Sequence, residues 1–284
     1  MIAGLDHRRR LAVAMIAPAV LLVVLLYLVP LGRILALSFT EEPGALANYG
    51  QLFTSDVLGR VIMTTLRICI LTTAITLVVA YVMAAALTLA SPRMRSIMLV
   101  LVLLPLWLSV LIRAFAWVTV LRGNGVLNTA LVGLGLIGSP LNLVRNETGV
   151  VIGMVHYMLP FAILPLYAGM RTIDPRILNA ARSLGASGFT VFRRVFLPLT
   201  VPGLFSAFIL TFVFSLGFYV TPAILGGGRV MMVAEYISVQ VHETLEWGTA
   251  TMLASVLLFA VFAVIALVGR FADWDSIVGK GDEA

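Results

Sequence analysis

Few residues in this chain could do chemistry, and their placement narrows what kind. Arg113 and His156 each stand inside a long apolar run, Ile97 to Leu121 and Gly149 to Met170. A charge or an imidazole at such a place is costly, and marks a functional group unless a structural partner explains it. Arg113 either meets a transported solute or pairs with a neighbour near a membrane face. His156 either lines a path or bonds across helices. Trp117, one helical turn beyond Arg113, and Tyr219 add aromatic faces with polar tips. These four residues are the candidate path-lining set. No apolar run carries Asp or Glu at its middle. That argues against a proton- or sodium-coupled carrier, which relays ions through intramembrane carboxylates. Ser187 sits in Gly185-Ala186-Ser187-Gly188, but a serine nucleophile needs a base within reach. Its segment is an arginine-bearing loop, and His242 falls on the opposite side of the expected membrane. No GxxxxGK[ST] sequence occurs, so the chain does not hold ATP through a P-loop. The single Cys69 excludes an internal disulfide, and no metal site is read.

The most informative stretch runs from Asp174 to Gly203, between two apolar segments. Asp174 suits an N-cap and Pro175 the first helical position. Ile177, Leu178, Ala181 and Leu184 then form one apolar stripe, with Arg176, Asn179, Arg182 and Ser183 largely opposite. Gly185 stands where a helix ends in a left-handed residue. Ser187 caps a second short helix carrying Phe189, Val191, Phe192, Val195 and Phe196, and Pro198 and Pro202 bound the return to the membrane. On these features alone the loop is either a headgroup-level amphipathic segment or a docking element for a soluble partner.

This segment resembles the cytoplasmic loop of binding-protein-dependent ABC importer permeases. Their pattern is Glu-Ala-Ala, three residues, Gly, nine residues, a hydrophobic residue, any residue, then Leu-Pro. Asn179-Ala180-Ala181, Gly185 and Val195-Phe196-Leu197-Pro198 keep that spacing, with Asn179 where the pattern has glutamate. The resemblance implies that Asp174, Pro175, Asn179, Ala180, Ala181, Leu184, Gly185, Phe192, Leu197 and Pro198 couple the chain to a separate ATPase. Leu104-Pro105-Leu106-Trp107, Ile112 to Trp117, Gly125-Val126-Leu127-Asn128 and Thr221 to Gly228 further resemble the spermidine/putrescine subgroup. By this resemblance the chain would be an all-α, six-span helical bundle of the type I importer permease kind. It would pass a small organic solute, such as putrescine or spermidine, with no catalysis of its own. ATP would be bound by two copies of a partner ATP-binding cassette subunit, leaving this chain without a cofactor. A second permease subunit, a homologous heterodimer partner, and an extracytoplasmic solute-binding protein would complete the assembly in a bacterial inner membrane. The polyamine comes from the resemblance alone, because the spans offer a polycation aromatics and Arg113 rather than acids.

A membrane bundle must position these groups. The chain is 61% hydrophobic and 11% charged, with mean hydropathy +1.08, whereas soluble domains carry roughly a quarter charged residues. Its net charge of +6 reflects arginines held on one side of the membrane rather than an affinity for nucleic acid. Spans are expected over 11–37, 60–90, 97–121, 149–170, 201–220 and 249–268, with bends at Pro18, Pro30, Pro105, Pro160 and Pro165. Arg8 to Arg10, Arg93, Arg95, Arg171, Arg176, Arg182, Arg193, Arg194, Arg270 and Lys280 then share one side. Arg60, Arg122, Arg145 and Arg229 share the other with most acids, which is the positive-inside pattern. It makes 1–10 a cytoplasmic N-terminus, 11–270 one permease domain with its cytoplasmic loop at 171–200, and 271–284 a cytoplasmic tail. Glu235, Glu243 and Glu246 are expected in an outer loop, either solvated or holding a binding protein or cation.

Overall fold

The computed structural model describes residues 14–42 and 44–271. Segment 1–10 and all of the tail beyond Phe271 lie outside the described residues. Among the described residues there is no strand. The helices are α1 (Ala14–Thr40), α2 (Ala45–Thr54), α3 (Asp56–Leu89), α4 (Pro92–Trp107), α5 (Val110–Leu121), α6 (Val126–Gly133), α7 (Glu147–Arg171), α8 (Pro175–Ser183), α9 (Gly188–Val191), α10 (Leu197–Leu216), α11 (Val220–Gly226), α12 (Val233–Val239) and α13 (Trp247–Phe271). Six helical stretches are long and apolar enough to cross a membrane. Five correspond to α1, α3, α7, α9 with α10, and α13.

The third crossing is not the single kinked helix that the sequence suggests. Pro105 removes a donor from the last turn of α4. Leu108 N–H closes only a three-residue turn onto Pro105 O, at 3.2 Å, and Leu108 and Ser109 have extended backbone before α5 begins. By length and hydropathy alone the third stretch would be Val110–Gly133. However, a tight turn from Arg122 O to Gly125 N–H at 2.8 Å separates α5 from α6. The crossing is therefore α4 plus α5. At its start, Arg95 donates to Leu87 O in the last turn of α3 and to Ala90 O just beyond it, both at 3.1 Å.

Two prolines explain two π turns. Val29 N–H bonds Val24 O inside α1, and Leu197 N–H bonds Phe192 O ahead of α10. Each of these residues immediately precedes a proline, Pro30 and Pro198. The pyrrolidine ring collides with the carbonyl four residues back, and widening the preceding turn moves that carbonyl aside. The expected bend at Pro30 is thus a widened turn. Pro198, expected just before the fifth span, lies within it together with Pro202.

The chain divides into two compact units, 1–56 with 237–256, and 57–236 with 257–284. In the first, Tyr49 stacks on Phe39 at 5.3 Å and its hydroxyl meets Ser38 Oγ at 2.9 Å. Buried Asn48 donates to Glu41 O at 3.0 Å. The second has two apolar cores. Near the α8 loop, Ala80, Ala84 and Leu87 of α3 meet Ala162, Ile163 and Leu166 of α7 and Ala207 of α10; small residues let these helices approach. At the far end, Ile68 and Cys69 join Leu121, Val150, Met154, Leu216, Leu225 and Met232.

The start of α7 is packed against backbone. A Cβ on Gly149 would stand 2.1 Å from the Leu143 carbonyl oxygen, whereas one on Gly59, inside α3, would meet open space. Gly149→Ala is expected to cost about 2 kcal/mol or more, and Gly59→Ala to be neutral or stabilising by up to about 1 kcal/mol. Thermal unfolding of the detergent-purified protein, followed by size exclusion, checks both. Equal melting temperatures would contradict the packing described.

Candidate functional site

The candidate site residues fall in two sets, the α8 loop and a polar cluster between α5 and α7. The loop is closed at both ends by local hydrogen bonds. Asp174 Oδ1 accepts from Arg176 N–H at 2.8 Å, and Pro175 opens α8. At the other end Gly185 has φ +85°, a left-handed conformation that costs glycine little. Gly185 N–H bonds Arg182 O at 2.9 Å, and Ala186 N–H bonds Ala181 O at 3.2 Å. This pair of bonds satisfies carbonyls that a helix end leaves open. Ser187 Oγ then accepts from Thr190 N–H at 3.2 Å. That hydroxyl serves as a helix cap, which accounts for Ser187 without any nucleophilic role.

The apolar stripe of α8 divides. Leu178 and Ala181 turn inward and are half-buried. Ile177 and Leu184 face out, Leu184 at 89% exposure, and Phe189 beyond the turn is also exposed. Only part of the stripe is therefore exposed, Ile177 and Leu184, with exposed Asn179 and Ala180 beside them. Asn179 Oδ1 accepts from Arg182 Nη1 at 3.3 Å. Behind α8 lies a cavity of about 440 Å³ whose lining includes Leu178, Asn179, Arg182, Met170 and Phe192. Phe192 sets its edge on Tyr81 at 6.3 Å, and the Tyr81 hydroxyl meets Thr200 Oγ1 at 3.1 Å. Leu197 and Pro198 begin α10 directly from the π turn. The loop is thereby fastened to α3 and continuous with α10.

In the second set, Arg113 and Trp117 lie one turn apart on α5. Arg113 is only 8% exposed, and its Nε and Nη1 have no hydrogen-bond partner. Its guanidinium lies 4.3 Å from the centre of the Tyr157 ring, so the aromatic face supplies much of its stabilisation. Trp117 Nε1–H donates to His156 Nδ1 at 3.2 Å, which leaves the imidazole proton on Nε2. Phe218 packs on Tyr157 at 4.4 Å, and Phe214 meets Phe161 edge-on at 5.0 Å.

Arg113, Trp117 and His156 are thus brought together. The residue against Tyr157 is Phe218, while its neighbour Tyr219 is partly exposed at the start of α11. The sequence reading missed Tyr157, which had a signal, a ring beside a histidine in an apolar run. Among the span threonines, Thr65 donates to Val61 O and accepts from Val233 N–H, both at 2.8 Å. The hydroxyls of Thr72, Thr73, Thr76, Thr211 and Ser215 are buried without partners. Of the three acids read as either solvated or holding a binding protein or cation, Glu235 is buried, while Glu243 and Glu246 are exposed.

Comparison with known proteins agrees with this architecture. Residues 77–273 match the family described as binding-protein-dependent transport system inner membrane component. The chain is 33% identical over 258 residues to the spermidine/putrescine transport system permease protein PotB of Haemophilus influenzae, covering 86% of this chain and 90% of that one. It is 31% identical over 233 residues to PotB of Escherichia coli, covering 81% and 83%. Its fold is similar to a chain of a bacterial alginate ABC transporter crystallised with an alginate pentasaccharide-bound periplasmic protein. The TM-score there is 0.77 at 19% identity, covering 94% of this chain and 95% of that one.

If Tyr157 carries the Arg113 charge, Tyr157→Leu and Arg113→Met will not be additive. A double-mutant cycle on thermal stability is expected to give a coupling energy of about 1–2 kcal/mol. A value near zero would mean that the ring does not stabilise the guanidinium.

Proposed function

We propose a mechanism from membership: this chain belongs to the family of binding-protein-dependent transport system inner membrane components, and it is the permease subunit of an ABC importer. In this reading the α8 loop is its contact with a partner ATPase. Ile177 and Leu184 enter a groove on that subunit, and Asn179 and Ala180 border the contact. Closure of two ATPase subunits on ATP pushes α8, and the push passes through the π turn at 192–196 into α10 and through Phe192 and Tyr81 into α3. The observation that carries this reading is the closed, outward-presenting helix from Asp174 to Gly185, which has few apolar partners of its own at Leu184. A stiff element transmits displacement; a frayed one would absorb it.

The same reading sets the α8 end of the bundle in the cytoplasm, where ATP is, with both termini on that side. The arginine asymmetry supports this orientation. It places the family's solute-binding protein at the far end and adds a second permease subunit, a homologous partner, across the path. We assign the path to Arg113, Trp117 and His156 with Tyr157, and Tyr219 to its outer part. The solute class we infer is polyamine, supported by the names of the related PotB permeases. ATP belongs to the partner subunits, and no cofactor is assigned to this chain.

Gly185→Val tests the coupling role, because a β-branched residue resists positive φ. Space is not the obstacle, since a Cβ there meets nothing within 4 Å. In the reconstituted importer the valine variant is expected to insert normally and to lose at least about tenfold in uptake, a barrier of about 1.4 kcal/mol. Gly185→Asn, which tolerates the left-handed region, is expected to keep most activity. Normal uptake by the valine variant would contradict the coupling role.

A further inference from the structure

Glu235 differs from every other described acid. Glu41, Glu42, Asp56, Glu147, Asp174, Glu243 and Glu246 are exposed or half-exposed. Glu235 is 7% exposed, and its Oε2 is buried with no hydrogen-bond partner. Among the described residues the ion pair is Arg67 with Glu147, and Glu235 has none. Burying a carboxylate without a counter-charge is expensive and is retained only where something answers it. Burial pushes this carboxyl up to about 7, against a smaller lowering pull from the Met232 backbone hydrogen bond. The side chain thus sits at the edge of ionisation, with one oxygen open.

Its position is defined by its neighbours. Two residues earlier, Val233 N–H bonds Thr65 Oγ1 on α3. Thr65 is two residues from Arg67, whose guanidinium pairs with Glu147 at the first turn of α7. Glu235 therefore lies at the far end of the bundle. Tyr157, which carries Arg113, is ten residues further along α7, or about 15 Å deeper at 1.5 Å per residue. The acid is at the far end of the bundle and the buried guanidinium lies well below it. A cationic solute entering from the far side would pass the depth of Glu235 before that of the guanidinium.

We propose that Glu235 is an ammonium-binding group at the outer mouth of the translocation path, receiving one charged nitrogen of an aliphatic amine as the solute leaves its binding protein. This rests on the reading of a polyamine solute and of a far end that faces outward. An alkylammonium is protonated at neutral pH and carries donors for the open Oε2. It would supply the missing counter-charge and draw the carboxyl into its ionised form. The negative charge absent from the spans is thereby found between them, in the segment joining α11 to α13.

The test uses the full importer, with partner permease, ATPase subunits and binding protein, in proteoliposomes. Labelled putrescine uptake and ATP hydrolysis are measured together at saturating loaded binding protein. Glu235→Gln keeps size and hydrogen bonding but removes the charge, and putrescine imported per ATP is expected to fall at least tenfold. Glu235→Asp is expected to restore more than half of the wild-type ratio. A purely structural role would lower uptake and ATP hydrolysis together and leave their ratio standing; a ratio within twofold of wild type in Glu235→Gln overturns the proposal. If Glu235→Gln fails to assemble, the wild-type complex decides. Putrescine is expected to protect Glu235 from a hydrophobic carbodiimide, read by mass spectrometry, and labelling unaffected by putrescine overturns the proposal. A wild-type importer that takes up neither putrescine nor spermidine overturns the polyamine reading and this inference with it. Uptake with an unchanged ratio overturns this inference alone.

Discussion

The left-handed turn at Gly185 is the constraint on which the loop depends. At φ +85° the backbone reverses within one residue, and Gly185 N–H and Ala186 N–H return to the carbonyls of Arg182 and Ala181. These bonds end α8 sharply, so that Leu184 projects outward at the point of reversal instead of trailing along a frayed coil. With Asp174 closing the opposite end, α8 is a nine-residue rod. Helices this short are marginal in isolation; capping at both ends and the inward packing of Leu178 and Ala181 hold this one in shape.

A rod is useful only if it is attached. Here the attachment is asymmetric. On one side the chain passes without a break from the π turn at Phe192–Phe196 into α10. On the other, Thr172 and Ile173 form a short turn off the end of α7. The π turn exists because Pro198 cannot accept a normal helical turn before it, and a widened turn is a natural place for bending. The Leu-Pro at the end of the loop motif is therefore a backbone device, setting a compliant joint where the loop meets its span. The break at Leu108–Ser109 does related work in the third crossing, freeing α5 to carry Arg113 and Trp117 against α7.

Much of this was legible in the sequence, for local reasons. The Asp174 cap, the Gly185 stop, the Ser187 cap and the six crossings follow from spacing and residue type acting over a few positions. What was not legible depends on contacts between distant segments. The amphipathic stripe of α8 showed that one face is apolar, but not that Leu178 would turn to the bundle while Leu184 turned away. Pro105 promised a bend, whereas the helix is interrupted at Leu108–Ser109. Arg113 was visible as an anomaly, but its platform, Tyr157 with Phe218 behind it, joins residues far apart in the chain. Glu235 read as an outer-loop acid, and its segment is tied to α3 by Val233 reaching back to Thr65 across 168 residues.

The central claim is that the outward end of α8 sits against an ATPase. The most direct measurement places a single cysteine at Leu184, in a background with Cys69 replaced, and probes it in inverted and right-side-out membrane vesicles of the assembled importer. The account predicts modification by an impermeant maleimide only from the cytoplasmic face, and disulfide formation with a cysteine in the partner's groove that increases when ATP is bound. Labelling from the extracytoplasmic face only, or no crosslink to any ATPase subunit in either nucleotide state, would contradict it.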